Sequence, residues 1–435
     1  MTLKIKRRAF IKLAGVSGLA TLFPSPAFAQ EQSVNSKLNV VCIGIGNRGR
    51  SNVDAVSGEN MVALCDIDEN ILNHGKERFP HAKLFRDYRK MYDEIEKDID
   101  AVVISTPDHT HAAPAMIGMK LGKHCYCEKP LAHNVTEVRD MMAIAREKKI
   151  ATQMGIQIHA GDNYRRVVEW VHADALGTIR EVHVWQGSRW GGRPFLTDMP
   201  DVPAHIDWDI WLGPAEKRPY HPQYFNQSWR CYWAFGNGTL GDMACHYMDL
   251  PFWALHLQLP QTVETFSETA PTPEVAPAQL RVEYTFAERR IRNAVRPAVI
   301  LNWYDGGLKP SILKEKELPD WGAGVLFVGE GGMLLADYNR WMLFPQDKFA
   351  DYEAPKQTIP HSVGHHQEWI DACKTGSPTT CNFGYAGTLA ETVLLGTVAF
   401  RTGKKLEWDA ANMKATNVPE ADQFLSRIYR KGWEV

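Results

Sequence analysis

A glycine-rich turn between an apolar run and a helix-compatible stretch constrains the fold of this chain more than any other feature. The apolar run over residues 37–45 leads into Gly44-Ile45-Gly46-Asn47-Arg48-Gly49, and a second run over residues 61–65 ends at Asp66. Glycines at this spacing allow a tight turn and a close backbone approach to a pyrophosphate. An acid at the end of the second strand accepts hydrogen bonds from ribose hydroxyls. The pattern predicts a dinucleotide-binding, doubly wound domain.

Strand and helix patterns alternate at short intervals from residue 38 to residue 155. The run from Asp100 to Ser105 is apolar nearly throughout, which is typical of a parallel strand buried on both faces. Further strands are expected at 124–128 and 150–154, with helices at 69–79, 87–97, 111–121 and 134–148. This alternation predicts an α/β domain, a Rossmann doubly wound parallel sheet over residues 38–155.

The pattern changes after residue 155 and predicts a second domain over residues 156–435. Predicted helices lie at 162–174, 240–255, 364–374 and 384–402, and predicted strands at 179–186, 262–268, 280–286, 298–303, 325–328, 333–336 and 341–344. Residues 188–235 form a Trp-rich insertion. Successive strands separated by turn signals favour an α+β domain with a large, mostly antiparallel open sheet.

The N-terminus has the layout of an export signal. Arg7-Arg8-Ala9-Phe10-Ile11-Lys12 matches a twin-arginine pattern, an apolar run follows over residues 13–23, and Ala27-Phe28-Ala29 provides a small-residue cleavage site. The run is shorter than the roughly 20 residues that span a bilayer, so no stable membrane anchor is expected. We therefore expect a signal peptide at 1–29, a linker at 30–37 and export through the twin-arginine (Tat) machinery to the periplasm or beyond. An ordinary basic signal region is the alternative.

Composition narrows the function further. Hydrophobic residues make up 44% and charged residues 23%, which excludes a disordered or fibrous chain. The formal net charge of −2 gives no support to nucleic-acid binding. The eight cysteines lack zinc-type spacing, and His361, His365 and His366 do not form a convincing ligand set, so no metal is predicted. Disulfides remain open, since an exported chain could form them.

NAD is the expected cofactor, because the Asp66 carboxylate would repel the 2′-phosphate of NADP. NADP is less favoured, although Arg48 or Arg50 could soften that repulsion. Asp108 and His111 follow the fourth predicted strand, where they would lie near cofactor or substrate or, alternatively, cap a helix. The predicted cofactor contacts are Gly44, Gly46, Asn47, Arg48, Gly49, Asp66, Thr106, Pro107, His111, Glu128, Lys129 and Gln157.

Three further motifs occur in the order found in one known family. They are Thr106-Pro107-Asp108-x-x-His111, Glu128-Lys129-Pro130, and Gly241-Asp242-x-x-x-His246 with Asp249. With the glycine-rich turn, they make the chain after residue 37 resemble the glucose-fructose oxidoreductase / inositol dehydrogenase / rhizopine catabolism (Gfo/Idh/MocA) family, and its exported branch in particular. The arginine usual in that family after the sixth strand is replaced by Gln157 and His159, with Arg165 further on, which leaves the substrate open.

The resemblance implies a catalytic set of Lys129, Asp242 and His246, with a cis peptide before Pro130. Asp242 and His246 are four residues apart and share one face of a helix. Hydride removal from a secondary alcohol needs a base, for which His246 has a suitable pKa, and a cation near the developing alkoxide, for which Lys129 is suited. Asp242 would orient the imidazole or bind a neighbouring hydroxyl, and Asp249 could also hold the ring. A helix cap, a core histidine and a surface lysine are the structural alternatives.

Sugar is the expected substrate class. Besides Lys129, Asp242 and His246, the predicted substrate contacts are Arg165, Trp190, Arg230 and Trp233, although these tryptophans could equally be core. Export favours a tightly bound cofactor, because free NAD is scarce outside the cytoplasm. We expect an exported oxidoreductase that transfers hydride at a ring hydroxyl of a sugar or glycoside. A redox-assisted glycosidase is the alternative, and a non-catalytic sugar-binding protein is least favoured. The open sheet suggests a homo-oligomer, a dimer or a tetramer.

Overall fold

The computed structural model describes residues 36–225, 227–291 and 294–435. The predicted signal peptide over residues 1–29 lies outside the described residues, as does nearly all of the predicted linker. Seventeen strands and twelve α-helices occur in the described part of the chain.

Their bounds agree with most of the predicted elements. The strands are β1 Asn39–Ile43, β2 Asn60–Cys65, β3 Lys83–Phe85, β4 Ala101–Ile104, β5 His124–Glu128, β6 Thr152–Gly155, β7 Ile179–Gln186, β8 Thr262–Phe266, β9 Arg281–Phe286, β10 Arg289–Ile291, β11 Ala294–Arg296, β12 Val299–Tyr304, β13 Ala323–Gly329, β14 Gly332–Ala336, β15 Trp341–Phe344, β16 Leu406–Asp409 and β17 Lys414–Ala415. The helices are α1 Arg48–Ala55, α2 Glu69–Arg78, α3 Tyr88–Ile95, α4 Ala112–Lys120, α5 Val135–Lys148, α6 Asp162–His172, α7 Trp208–Leu212, α8 Gly238–Leu255, α9 Ile312–Glu315, α10 His365–Thr375, α11 Phe383–Thr402 and α12 Asp422–Leu425.

The first six strands form one parallel sheet in the order β3-β2-β1-β4-β5-β6. All four residues of β4 are buried, which explains the unbroken apolar run in the sequence. The strand order reverses beside β1, and ligands of such sheets bind at the carboxyl ends of the strands near that reversal. The predicted Rossmann sheet is therefore confirmed.

A nine-stranded sheet organises the second part of the chain, in the order β15-β14-β13-β7-β12-β9-β8-β16-β17. Only the β7–β12 pair is parallel, so the prediction of a mostly antiparallel sheet is confirmed. The two strands near the C-terminus, β16 and β17, extend the sheet beyond the predicted strands. They have four and two residues, too few to show a clear alternation in the sequence.

Two long helices, α8 and α11, pack between the sheets. By length and composition, α11 is the one helix among the described residues that could cross a bilayer, but 83% of its apolar window is buried inside the protein. Such burial is that of a core helix. The eight cysteines are all free in the described chain, and seven of them are buried.

The Trp-rich insertion has a core of its own, in which aromatic rings pack together. The Trp208 and Trp211 rings are stacked with centroids 4.7 Å apart, and Phe235 meets Trp211 edge to face. The insertion also pairs with the first domain through a bridge between Asp68 and Ile206. Much of the tryptophan content is therefore structural, and the insertion covers the carboxyl edge of the parallel sheet.

Candidate active site

A cleft of about 480 Å³ lies at the carboxyl edge of the parallel sheet, under the insertion and beside α8. It runs from the glycine-rich turn to the first turns of α8. The predicted site residues that line it are Gly44, Gly46, Asn47, Arg48, Asp66, Thr106, Pro107, His111, Glu128, Lys129, Gln157, Arg230, Asp242 and His246. The fold thus brings most of the predicted site into one cavity.

The turn at the start of α1 leaves no room for side chains. Gly44 has a φ of +76°, and a Cβ built on it would lie 2.8 Å from the Ser105 backbone. A Cβ on Gly49 would lie 1.9 Å from the Gly44 carbonyl oxygen. Asn47 precedes α1 without a side-chain cap. The Gly49 and Arg50 N–H groups donate to the Gly46 and Asn47 carbonyl oxygens, at 2.7 and 3.2 Å. This cradle fits the pyrophosphate of a dinucleotide.

Asp66 and Thr106 complete the fit. One Asp66 oxygen accepts from the Ile45 backbone N–H at 2.8 Å and the other from the Asp68 N–H at 3.1 Å. Burial raises the pKa of Asp66 to about 6. The hydroxyl oxygen of Thr106 is buried and has no hydrogen-bond partner within the described chain. A carboxylate and an unsatisfied hydroxyl at this edge suit the ribose and amide groups of NAD.

Glu128 joins several predicted cofactor contacts to one another. Its Oε1 accepts from Arg48 Nε at 3.1 Å, from Asn52 Nδ2 at 2.9 Å and from Gln157 Nε2 at 2.9 Å. Burial alone would raise the pKa of Glu128, but Arg48 and Asn52 hold it below its usual range. His366 Nε2 donates to Asn52 Oδ1 at 3.0 Å, so this network reaches α10. Asn52 was not predicted, and only its position on α1 could have suggested it.

His111 connects the two loops that follow β4 and β5. Its Nδ1 lies 2.8 Å from the Pro130 carbonyl oxygen, and its Nε2 lies 2.8 Å from the Thr106 carbonyl oxygen. The Lys129–Pro130 peptide is cis, as the resemblance implied. The buried His111 side chain therefore fixes the position of the loop that carries Lys129.

Lys129, Asp242 and Arg230 form a compact charge cluster in the cleft. Lys129 Nζ lies 2.5 Å from Asp242 Oδ1 and 2.6 Å from the Asp242 carbonyl oxygen, and Arg230 Nε lies 2.8 Å from the same Oδ1. Burial alone would raise the pKa of Asp242, but the two cations hold it well below its usual range. Asp242 is therefore ionised, and it fixes the position of the Lys129 ammonium.

His246 lies one helical turn beyond Asp242 and stays neutral. Burial lowers its pKa to about 3, and the neighbouring Lys129 contributes to the effect. Within the described chain, no side chain hydrogen-bonds its imidazole, so Asp242 does not orient the ring. Asp249 does not hold it either, because both Asp249 carboxylate oxygens contact His159 Nδ1, at 2.9 and 3.0 Å. A neutral imidazole can accept a proton from a substrate hydroxyl.

Asp108 is a further titratable group of the cleft with a strongly altered pKa. It is 3% exposed, and burial raises its pKa to about 7 although Arg230 and Lys129 oppose the shift. It directly follows Pro107 in the loop after β4. That position indicates a site residue from the sequence, but the sequence does not show its ionisation state. A carboxyl group that titrates near neutrality can act as a general acid or base.

The predicted sugar contacts separate in the structure. Arg230 lines the cleft, and Trp229 lines it as well, although it was not predicted. Trp190 lies under the Arg230 guanidinium, 5.7 Å from ring centroid to Cζ, and belongs to the core of the insertion. Arg165 and Trp233 do not line the cleft. Arg165 donates to the Pro360 carbonyl oxygen at 2.9 Å, and Trp233 donates to the Thr272 carbonyl oxygen at 3.0 Å.

A buried network behind α8 has the residue types of a metal site. His159, Asp249 and Cys381 each offer one potential ligand atom, and these three atoms lie within 4.8 Å of one another. Asp249 already accepts from His159 and from the Tyr385 hydroxyl, the latter at 2.7 Å. Burial raises the pKa of the Cys381 thiol well above its usual value, which disfavours the thiolate that binds metals. Hydrogen bonding to one another and to Tyr385 accounts for the His159 and Asp249 side chains.

Two family profiles match the chain in succession. The profile described as "Oxidoreductase family, NAD-binding Rossmann fold" covers residues 38–156, and the one described as "Oxidoreductase family, C-terminal alpha/beta domain" covers residues 166–290. Together they account for more than half of the chain. The chain belongs to the Gfo/Idh/MocA oxidoreductase family. The expected NAD-binding domain is thereby confirmed.

Curated relatives are similar to this Gfo/Idh/MocA protein over part of the chain. A protein of Solibacter usitatus named "Glycosyl hydrolase family 109 protein" is 28% identical over 57% of this chain and 56% of its own length. A Shewanella oneidensis protein named "Alpha-N-acetylgalactosaminidase" is 28% identical over 40% of this chain and 44% of its own length. These matches thus span about half of each relative.

Solved structures share the Gfo/Idh/MocA fold. The WlbA dehydrogenase from Bordetella pertussis, crystallised with NADH and UDP-GlcNAcA, superposes with a TM-score of 0.60 at 16% identity. The superposition covers 86% of this chain and 99% of that one. At this identity the likeness establishes the two-domain architecture and no more.

Proposed function

We propose that this Gfo/Idh/MocA protein uses NAD to move hydride at a ring hydroxyl of a sugar or glycoside. The observation that carries the proposal is the position of Lys129, Asp242 and His246 in the same cleft as the dinucleotide cradle. A buried carboxylate fixes a cation there, beside a neutral imidazole. That is what alcohol oxidation requires of the protein, a proton acceptor and a charge that stabilises an alkoxide.

Each residue has a distinct part in this chemistry. When bound, NAD supplies the hydride acceptor. The ammonium of Lys129 donates a hydrogen bond to the substrate hydroxyl and stabilises negative charge on its oxygen. Burial lowers the pKa of His246 to about 3, which keeps the imidazole unprotonated across neutral pH but makes it a weaker base than the sequence predicted. We assign it the hydroxyl proton because of its place in the cleft beside Lys129. Asp242 and Arg230 keep the Lys129 ammonium in place through the contacts on Asp242 Oδ1.

A redox-assisted glycosidase is the second candidate, and two observations favour it. Curated relatives carry glycosidase names. In addition, the cleft contains Asp108, a buried carboxyl group with a pKa of about 7. Elimination of an aglycone from a transiently oxidised sugar needs a base for the ring C–H and an acid for the leaving group. Asp108 supplies a group that exists in both forms near neutrality, beyond what simple alcohol oxidation needs.

The test follows two absorbances in one experiment. Purified protein is mixed with a panel of nitrophenyl glycosides without added cofactor, and reduced nicotinamide and released nitrophenol are recorded together. A stoichiometric rise of reduced nicotinamide without nitrophenol indicates an oxidoreductase with a carried cofactor. Sustained nitrophenol release without net nicotinamide reduction indicates the glycosidase. If neither signal appears, and adding NAD or NADP does not restore one, the proposal is wrong.

We also propose that the protein is exported in folded form with NAD tightly bound. The twin-arginine pattern of residues 7–12 supports this, and folded export would preserve a cofactor loaded in the cytoplasm. Replacing Arg7 and Arg8 together by lysine should keep the protein in the cytoplasm, as followed by cell fractionation. Export of the double variant at the parental level would contradict the route.

We propose that the protein forms a homo-oligomer, because the nine-stranded sheet exposes apolar side chains. Phe266 on β8 is 37% exposed and Ile300 on β12 is 40% exposed. Light scattering after size-exclusion chromatography should give the mass of a dimer or tetramer. A monomer at micromolar concentration would contradict this assembly.

A further inference from the structure

A second cavity, of about 600 Å³, lies between the start of α5 and one face of α11. Leu394, Thr397, Val398 and Arg401 line it from α11, at the spacing of one helical face. Residues of the segment 423–428 and of the Trp-rich insertion complete its walls. Trp233, which sequence analysis placed among the sugar contacts, lies here and not in the active-site cleft.

The unpartnered polar atoms of this cavity are mostly hydrogen-bond donors. Asn134 and Thr397 are 6% and 4% exposed, yet Asn134 Nδ2 and Thr397 Oγ1 have no partner in the described chain. Asn134 Oδ1 accepts from the Glu137 backbone N–H at 3.0 Å, so the free end of that amide is the donor. Arg218 Nε and Arg427 Nη1 are likewise buried without a partner.

Such a concentration of unsatisfied groups is unusual, because buried polar groups nearly always find partners. Through other guanidinium nitrogens, Arg218 binds Glu274 and Arg427 binds Glu137. The unpartnered nitrogens therefore remain as hydrogen-bond donors for a ligand. Donors that line one cavity together are satisfied by a ligand rich in acceptor oxygens.

Arg401 adds an uncompensated charge to the same wall. Its guanidinium packs over Phe424, 4.1 Å from the ring centroid, and over Trp233, 5.6 Å from the centroid. No carboxylate pairs with it among the described residues, and burial lowers its pKa to about 10. His133, Asn134 and Val135 at the start of α5 also line the cavity. The carboxylates in its wall are those of Glu216 and Glu274, and Glu274 is paired with Arg218.

We propose that this cavity is a second binding site, for a small anion with carboxylate or phosphate oxygens. Arg401 provides the charge, and Asn134, Thr397 and Arg427 provide hydrogen bonds. The site is separate from the cleft that holds Lys129 and His246, so its occupancy does not depend on the reaction proposed for that cleft.

The test is calorimetric titration of the full-length, NAD-saturated protein with inorganic phosphate and, separately, with glucuronate at constant ionic strength. Saturating NAD blocks the pyrophosphate cradle, and the variants below distinguish binding in this cavity from binding of glucuronate beside Lys129 and Arg230 in the active-site cleft. We expect saturable binding at one site per chain. Binding of phosphate alone assigns phosphate oxygens, and binding of glucuronate alone assigns a carboxylate. Failure of both probes to saturate below about 10 mM would overturn the proposal.

Variants locate the binding. R401Q should weaken it about tenfold, because a charged hydrogen-bond donor is lost. R340Q is the matched control, since Arg340 also packs over an aromatic ring, that of Trp321, but far from this cavity. If R401Q does not fold, T397V decides, because it removes the unpartnered hydroxyl without changing the shape of the side chain. If folded R401Q binds the anion as tightly as the parent protein, the proposed site is wrong. If R401Q does not fold, unchanged affinity in T397V leads to the same conclusion.

Discussion

Lys129 and Asp242 are 113 residues apart in the chain, and their side chains meet at 2.5 Å between the parallel sheet and α8. The same ammonium also contacts the Asp242 carbonyl oxygen at 2.6 Å. Two acceptors on one residue restrict where Nζ can lie. The Lys129 position thus depends on the docking of the second domain on the first, and the active site is complete only when both are in place.

Replacing Lys129 by methionine should reduce turnover at least about a hundredfold, because the alkoxide loses its cation. NAD binding should persist, since the pyrophosphate cradle is untouched. The measurement is turnover with a responsive glycoside, with cofactor content determined after denaturation. K374M is the control, because Lys374 makes a similarly buried ion pair, with Glu59 at 2.7 Å, outside the cleft. Equal turnover of K129M and the parent protein would contradict the assigned role.

Asp108→Asn should change the dependence of stability on pH. The pKa of Asp108 rises from 3.8 to about 7 on folding, so folding favours its protonated form. This contribution is fully present below about pH 4 and is lost as pH rises through 7. The stability of D108N relative to the parent should therefore increase with pH over that window, by roughly 2–4 kcal/mol, in urea unfolding at fixed pH values.

The same variant should remove the limb near pH 7 from the profile of kcat/KM if Asp108 exchanges protons in the reaction. D305N is the matched control, because burial also raises the pKa of Asp305 to about 7, but this residue does not line the cleft. D305N should leave the activity profile unchanged. A D108N profile that still shows the limb would exclude Asp108 from proton transfer.

Asp66→Ser should shift the cofactor preference toward NADP. Loss of the carboxylate removes hydrogen bonds to ribose, so NAD should bind about tenfold more weakly, and it removes repulsion of a 2′-phosphate. In the parent protein, lowering the pH from 8 to 5 should act in the same direction, because the Asp66 pKa of about 6 is crossed. Fluorescence titration with both cofactors measures the ratio. D87N, which changes the cap of α3, should leave it unaltered.

Glu391→Ala should destabilise the protein by about 3–5 kcal/mol, because it leaves a partly buried cation without its partner. Glu391 on α11 is 1% exposed and accepts from Arg139 Nη2 on α5 at 2.7 Å and from Trp408 Nε1 on β16 at 3.2 Å. Urea unfolding measures the change. The control E330A breaks the exposed pair with Arg180 and should cost at most about 1 kcal/mol. Equal losses would show that burial does not determine the value of the pair.

Much of the fold could be predicted because its signals are local. The apolar run of β4 and the glycines after β1 each specify a conformation within a few residues. The short strand β16 could not be predicted, since it is ordered by pairing with β8, about 140 residues earlier, and not by its own pattern. For a tryptophan, the sequence indicates burial but not the cluster of residues in which it packs. For this reason Trp233 was predicted to contact the sugar, although it lines the second cavity and not the active-site cleft.

The sequence by itself determined the parallel sheet, the dinucleotide turn and the order of the site motifs, because strand period and turn chemistry act over neighbouring residues. The tertiary structure alone decided which side chains pair. It joined Asp242 to Lys129 and Arg230 instead of to His246, and it joined Asp249 to His159. The partners of such a pair can be more than a hundred residues apart, as Lys129 and Asp242 are. Only the packing of α8 against both domains sets the direction of their side chains.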